Sequence, residues 1–245
     1  MVERKVRVVK RHRKIRFGIS FRNFSQRFTM REVRDILIAW LILSLTFAYA
    51  IYVDTGAKLS AFILILTASF IAIACGFIMH ELMHKFKAQE YGYDAAFRLW
   101  PFGILLAVIT SLFGFVFAAP GATYFEPDPR EPILDPQGFV KRYGDISLAG
   151  PKINLIFGGI FLVLFLIALI FMPVSVITYT LLSITGIAGY INFFLAAFNL
   201  LPILPLDGAK VFNWDKEKWA IYFGVSVLMT ALVIIGIIPM LSFVP

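Results

Sequence analysis

The sequence predicts an all-α polytopic membrane protein with five to six transmembrane helices and a re-entrant or β segment near its functional site. Of the 245 residues, 60% are hydrophobic and only 16% are charged, whereas a soluble domain is nearer half apolar and a quarter charged. Several apolar runs reach the roughly 20 residues that a helix needs to cross a bilayer. A strongly basic segment precedes the first run, which is typical of a cytosolic tail.

The apolar runs define five predicted spans, which lie at residues 36–53, 61–79, 146–172, 174–204 and 219–244. Residues 120–145 are rich in Pro, Gly and acidic side chains, and we predict that they form a loop. The predicted domain organisation is therefore a basic cytosolic tail at residues 1–34, followed by one transmembrane domain at residues 35–245.

The net charge of +8 is concentrated in the tail, which holds twelve of the 23 Lys and Arg residues. Such a cluster is typical of a segment that touches anionic lipid headgroups, and nucleic-acid binding is the alternative interpretation. Because membrane spans follow directly, we expect the lipid bilayer as a partner and no nucleic acid. The charged region is too long for a cleaved signal peptide, and one cysteine, Cys75, allows no internal disulfide.

Residues 99–119 leave the topology open, because this apolar segment is interrupted by Pro101, Gly103 and Gly114. Lys and Arg near the spans favour the cytoplasm. A full span here would place the basic residues of 120–145 outside, whereas a re-entrant segment keeps them in the cytosol. The charge rule therefore favours five spans and one re-entrant element, and a sixth full span is the alternative.

The sequence HELMH at residues 80–84 is the strongest chemical signal in the chain. His80 and His84 are four residues apart, so on a helix they share one face and their imidazoles can converge on one metal ion. Glu81 can then reach a metal-bound water without binding the metal, as in zinc hydrolases. The alternatives are a hydrogen-bonded pair of histidines without a metal and a proton relay in a transporter.

A catalytic zinc site needs a third protein ligand beside an open position for water. Glu90 and Asp94 lie in the polar stretch beyond the helix, and Cys75 points to another side of it. The remaining strong candidate is Asp207, which follows a long apolar run where Pro residues end the helix. Only the re-entrant topology places Asp207 on the same side of the membrane as HELMH.

HELMH together with the later sequence NLLPILPLDG, residues 199–208, resembles the site-2 protease family of intramembrane zinc metalloproteases. LAGP at 148–151, with Asn154 following, resembles the family's helix start between the two motifs. FAAPGATYF at 117–125 resembles its membrane-associated β segment. The resemblance covers roughly residues 35–215, and the compact size favours a prokaryotic, archaeal or bacterial, type.

The resemblance implies that His80, His84 and Asp207 ligate one Zn²⁺ ion per chain and that Glu81 is the general base. It also implies that Asn199 holds the substrate carbonyl or its oxyanion, and a cap at the helix end is the alternative interpretation. The expected function is an intramembrane zinc endopeptidase that cleaves transmembrane segments of membrane proteins. A proton or ion transporter and a catalytically silent homologue are the alternatives.

The apolar runs and the charge rule predict an integral membrane protein, expected in the cell membrane, with its N-terminus and its active-site opening in the cytoplasm. Ala209 and Lys210 stand where the family often has Gly and Arg after the Asp-Gly pair. No segment is long enough for the PDZ domain or the pair of CBS domains that many members carry, so regulation by such a module is not expected.

Overall fold

The structure, a computed structural model, describes residues 28–241, with side chains as far as residue 236. Most of the predicted basic tail and the end of the last predicted span lie outside the described residues, so the tail at 1–34 stays a prediction. Within the described part, five helices are long and apolar enough to cross a membrane. The predicted all-α polytopic membrane fold is therefore confirmed.

The elements follow one another in this order: α1 Met30–Thr55, α2 Leu59–Ile73, α3 Met79–Glu90, β1 Asp94–Leu99, α4 Pro101–Ser111, β2 Gly121–Glu126, α5 Glu131–Leu134, α6 Pro136–Phe171, α7 Val176–Asn199, α8 Asp207–Trp214 and α9 Lys216–Leu241. A single π-helical turn, Ala74–Ile78, joins α2 and α3 into one continuous helix. The candidate spans are α1, the joined α2–α3 helix, α6, α7 and α9.

Helix α7 is the centre of the bundle, since it packs against α2, α6 and α9. In the most apolar 18-residue stretch of α7, 67% of the residues are buried, compared with 11% in the corresponding stretch of α9. Small and aliphatic side chains of α1, α2 and α7 form the main core, among them Leu43, Ala72 and Ile191. Outer faces of the spans leave large apolar side chains exposed, as expected for a surface in contact with lipid.

Residues 100–120 leave one end of the bundle and return to it. Strands β1 and β2 are antiparallel, and Leu99 is paired with Gly121, so both ends of the intervening segment lie side by side. Between them, α4 has only 11 residues, which is too short to cross a bilayer. The turn at Gly114 lies beside Asp54 near the other end of α1. The segment is thus re-entrant, and it reaches deep into the bundle.

The predicted loop at 120–145 is wrong, because it contains β2, α5 and the first turns of α6. Helix α6 begins ten residues earlier than predicted, since Asp135 caps it by accepting a hydrogen bond from the Gly138 N–H at 3.0 Å. Pro136 follows at the first helical position, where a missing N–H costs nothing. LAGP is likewise not a helix start, because Pro151 lies inside α6.

Candidate metal centre and active site

His80, His84 and Asp207 meet where α3 passes the start of α8. One carboxylate oxygen of Asp207, Oδ2, lies 3.3 Å from His80 Nε2 and 3.0 Å from His84 Nε2. Both histidines are buried, with 4% and 6% of their surface exposed. Ligand atoms of tetrahedral zinc, with bonds near 2.1 Å, lie about 3.4 Å apart. The structure therefore brings together the three predicted ligands at a spacing that suits one zinc ion.

A glycine of α6 leaves the space that such an ion needs. A Cβ atom at Gly150 would overlap Nε2 of both His80 and His84. Helix α6 therefore passes the two imidazoles with bare backbone. Two imidazoles and one carboxylate also form a donor set used by catalytic zinc enzymes, which leaves a fourth position for water. By both observations, these residues fit a catalytic zinc ion.

The remaining ring nitrogens of the two histidines are held by α6. His80 Nδ1 lies 2.5 Å from Asn154 Oδ1, and His84 Nδ1 donates to the main-chain carbonyl of Ile146 at 2.7 Å. Such partners leave Nε2 of each ring unprotonated and fix the ring's orientation for a metal. Asn154 is itself fixed, because its Nδ2 donates to the carbonyl of Gly76 at 3.1 Å.

Asp207 is the first residue of α8 and lies against the end of α7. A Cβ atom at the next residue, Gly208, would overlap the carbonyl of Leu200, so glycine lets the two helices approach closely. Lys210 Nζ lies 3.6 Å from Oδ1, the oxygen that does not face the histidines. The positive charge of Lys210 favours the ionised carboxylate, which is the form that binds a metal.

Glu81 lies on α3 beside the ligands, and strand β2 holds its side chain. The Thr123 hydroxyl donates to Glu81 Oε2 at 2.7 Å and also approaches its main-chain carbonyl at 3.2 Å. Glu81 is buried among protein atoms but lines the same cavity as the histidines. The predicted general base is thus next to the metal position, while Thr123 fixes one of its oxygens.

A cavity of about 300 Å³ opens over these groups, and Glu81, Thr123, Asn199 and Asp207 line it. Asn199 is the last residue of α7, and its Nδ2 donates to the carbonyl of Leu195 at 2.9 Å. This bond holds the amide against its own helix. The position in the cavity wall also suits contact with a substrate, so the role of Asn199 stays a prediction.

Comparison with known proteins identifies the family. A protein of Methanocaldococcus jannaschii named "Putative zinc metalloprotease" is 41% identical to this chain over 197 residues, which are 80% of this chain and 90% of that protein. Residues 167–230 match the family model described as Peptidase family M50. The chain belongs to peptidase family M50. The resemblance to site-2 proteases is confirmed, and the chain is a zinc metalloprotease.

A second relative, from Bacillus subtilis, is also named a "Putative zinc metalloprotease" and is 31% identical over 154 residues, which cover 58% of this chain and 65% of the relative. No solved structure matches the chain significantly. M50 membership and the five apolar helices together make the chain an integral membrane protein. The transporter alternative therefore has no support from the comparisons.

In this M50 protease, sequence reasoning found the residues nearest the metal position and missed those that hold them. Gly150 and Asn154 appeared only within a motif resemblance, without a role, and Thr123 only within a β segment. A polar Asn inside an apolar run is a usable signal, because such residues in membrane helices are seldom without function. No comparable signal marks Thr123, whose importance depends on the fold of residues 100–120.

Proposed function

We propose that this M50 protease is an intramembrane endopeptidase that cleaves transmembrane segments of membrane proteins with one zinc ion per chain. The observation that supports this most is the position of the site within the spans. His80 lies ten residues before the end of the helix that starts at Leu59, which is about 15 Å along the helix axis. The ligand set is enclosed by α3, α6 and α8 rather than by a separate soluble domain.

The chain's own residues supply the proton transfers of peptide hydrolysis. When bound, zinc polarises a water molecule and lowers its pKa to about 7. Glu81 accepts the proton of the attacking water and donates it to the leaving amine. Thr123 donates to one carboxylate oxygen of Glu81, which leaves the other oxygen for water. Asn199, in the cavity wall, donates to the developing oxyanion.

The free edge of β2 offers a place for the substrate backbone. Trp100 donates its N–H to the Pro120 carbonyl at 2.7 Å, and bonded pairs alternate along an antiparallel ladder. The N–H and C=O groups of Gly121, Thr123 and Phe125 therefore point away from β1. Since β2 lines the active-site cavity, an unwound substrate segment can add to it as a further strand.

The charge distribution supports a cytoplasmic opening in the cell membrane. The strand pair, the start of α6 and the end of α3 lie at one end of the bundle. Arg98, Arg142 and Lys87 belong to these elements, and positive residues near spans favour the cytoplasm. The N-terminal end of α1 is at the same end, since it contacts β1.

The decisive experiment compares the wild type with Glu81→Gln on a purified single-span membrane protein reconstituted in the same vesicles. We expect both proteins to hold one zinc ion per chain, because Glu81 is not a ligand. Cleavage by Glu81→Gln should be at least 100-fold slower, the lower end for losing a general acid–base. Equal cleavage by the two proteins, or full cleavage after zinc removal by a chelator, would refute the proposed function.

A further inference from the structure

Behind the strand pair, the first turns of α1 form a buried contact to which the mechanism assigns no role. Lys85, the residue after the ligand His84, donates to both carboxylate oxygens of Glu32, at 2.7 Å and 2.6 Å. The same carboxylate accepts the main-chain N–H of Phe97 in β1 at 3.1 Å. Lys85, Glu32 and Phe97 are each only 1% exposed.

The contact closes the outer edge of β1. The main-chain N–H of Phe97 points away from β2 and donates to the Glu32 carboxylate instead. Two residues on, the N–H of Leu99 faces the carboxylate of Asp35, which lies one turn after Glu32 on α1. Carboxylates accept hydrogen bonds but offer no N–H of their own. A further strand therefore cannot add to β1, and the edge of β2 is left as the pairing edge of this sheet.

The contact also joins the strand pair to the catalytic helix from behind. On the cavity side, Thr123 of β2 holds Glu81 of α3 at 2.7 Å. On the opposite side, Glu32 holds both Lys85 of the same helix and Phe97 of β1. An apolar contact between these elements would allow sliding. A carboxylate that accepts three hydrogen bonds from two fixed donors, Lys85 Nζ and the Phe97 N–H, determines the position of the strands along α3.

From this geometry we infer that Glu32 is a positioning residue of the peptidase reaction. It acts through Lys85 and Phe97 to fix which main-chain groups of β2 lie beside Glu81. It thereby determines which peptide bond of an added substrate strand faces the metal position. The inference rests on the proposed function, and it makes the N-terminal turns of α1 part of the substrate-aligning apparatus.

The test uses the full chain in vesicles with four variants. Glu32→Gln keeps an acceptor oxygen for Phe97, whereas Glu32→Met removes it. The double variant Glu32→Met with Lys85→Met also removes it but leaves no unpaired buried charge, which protects folding. Lys87→Met is the matched control, since Lys87 lies two residues on and pairs with Asp145 at 3.1 Å near the surface.

We expect the wild type, Lys87→Met and Glu32→Gln to cleave one principal bond, as identified by mass spectrometry of the products. In Glu32→Met and in the double variant, cleavage should spread to bonds two residues from the principal bond. A substrate strand that slips by two residues along β2 keeps the same side chains on each face of the sheet. Their kcat/KM should fall about 10- to 100-fold, the cost of a misplacement near 1 Å. Zinc content should be unchanged in all five proteins.

Hydrogen exchange at the Phe97 amide separates this inference from the proposed function, because it is measured without substrate. Exchange should be faster in the double variant than in the wild type or Lys87→Met. Unchanged exchange and an unchanged cleavage position in a folded double variant would overturn the inference. Loss of folding in that variant would also overturn it, since Glu32 would then be a folding element. If the wild type cleaved no membrane segment, the proposed function would fall and this inference with it.

Discussion

The two walls of the active-site cavity are built on opposite principles. The metal wall, formed by α3, α6 and α8, holds buried side chains whose polar atoms are paired across helices, such as His80 with Asn154. The strand wall, formed by β2, alternates between half-buried and exposed residues and directs main-chain groups into the cavity. One wall is therefore complete before substrate arrives, whereas in the proposed function the other is completed by the substrate.

The difference matches what each wall has to do. A zinc ligand must be held within a few tenths of an ångström, which requires packing and a second hydrogen bond for each ring. Substrates differ in their side chains but share the same main-chain groups, so a strand edge that pairs with main-chain atoms accepts many sequences. Mutations of the predicted metal ligands, or of the residues that hold them, should thus remove zinc and activity together, whereas mutations in the strand wall should reduce activity and spare zinc.

The largest effect is expected for Gly150→Ala, because the new Cβ would overlap Nε2 of His80 and of His84. Zinc binding should be lost in the folded protein, and cleavage should fall at least 100-fold, as for other displacements near 1 Å at a catalytic centre. Metal analysis and a cleavage assay would measure both. Gly159→Ala is the control, because Gly159 lies on the same helix and a Cβ atom there would meet nothing within 4 Å. Zinc at full occupancy in Gly150→Ala would contradict the assigned metal position.

A smaller loss is expected for Asn154→Leu, which removes the acceptor that orients His80. Zinc affinity should fall about 10- to 100-fold, the usual cost of losing such a partner of a metal ligand. Competition with a calibrated chelator would give the affinity. Asn192→Leu serves as the comparison, because Asn192 is equally buried and contacts Asn154 at 3.4 Å but not the histidine. An equal loss in both variants would indicate helix packing rather than orientation of His80.

The sequence predicted that His80, His84 and Asp207 lie together, because the information is either local or follows from the depth of each residue in the membrane. His80 and Glu81 belong to a five-residue motif, and Asp207 was the remaining acid at the right membrane level. Asn154 was missed, since its contact with His80 joins residues 74 positions apart. The requirement for glycine at position 150 is likewise invisible until α6 is placed against α3.

The membrane-spanning helices were predictable from the sequence, whereas the segments that connect them were less so. Hydropathy placed the five long helices, but Pro and acidic residues at 120–145 were mistaken for a loop. The pair Asp135-Pro136 is in fact a helix start, with a capping side chain and a proline at the first position. Strand β1, within a polar stretch, is defined mainly by its pairing with residues more than 20 positions away, such as Tyr124, which pairs with Ala96. Pairing at this distance leaves no short-range pattern.

In the strand wall, Thr123→Val should slow catalysis and leave zinc binding intact. Valine has nearly the same shape but cannot donate to Glu81 Oε2, which Thr123 contacts at 2.7 Å. A hydrogen bond to a charged group contributes about 1.5–3 kcal/mol, so kcat should fall about tenfold or more while KM stays within about twofold. Thr123→Ser, which retains the hydroxyl, should be close to the wild type. A loss of zinc in Thr123→Val would show that the two walls are not independent.

The smallest effect is expected for Phe125→Pro, which removes one N–H from the free edge of β2 while leaving the pairing with β1 intact. One lost hydrogen bond of about 1 kcal/mol should lower kcat/KM about fivefold, mainly through KM. Phe125→Ala is the control, because it also removes the ring that stacks on Tyr93 at 5.7 Å but keeps the N–H. Tyr124→Pro should be more harmful than Phe125→Pro, since its N–H bonds to β1. If Phe125→Pro and Phe125→Ala had the same KM, the substrate would not pair with this edge, and the strand wall would act only by holding Glu81.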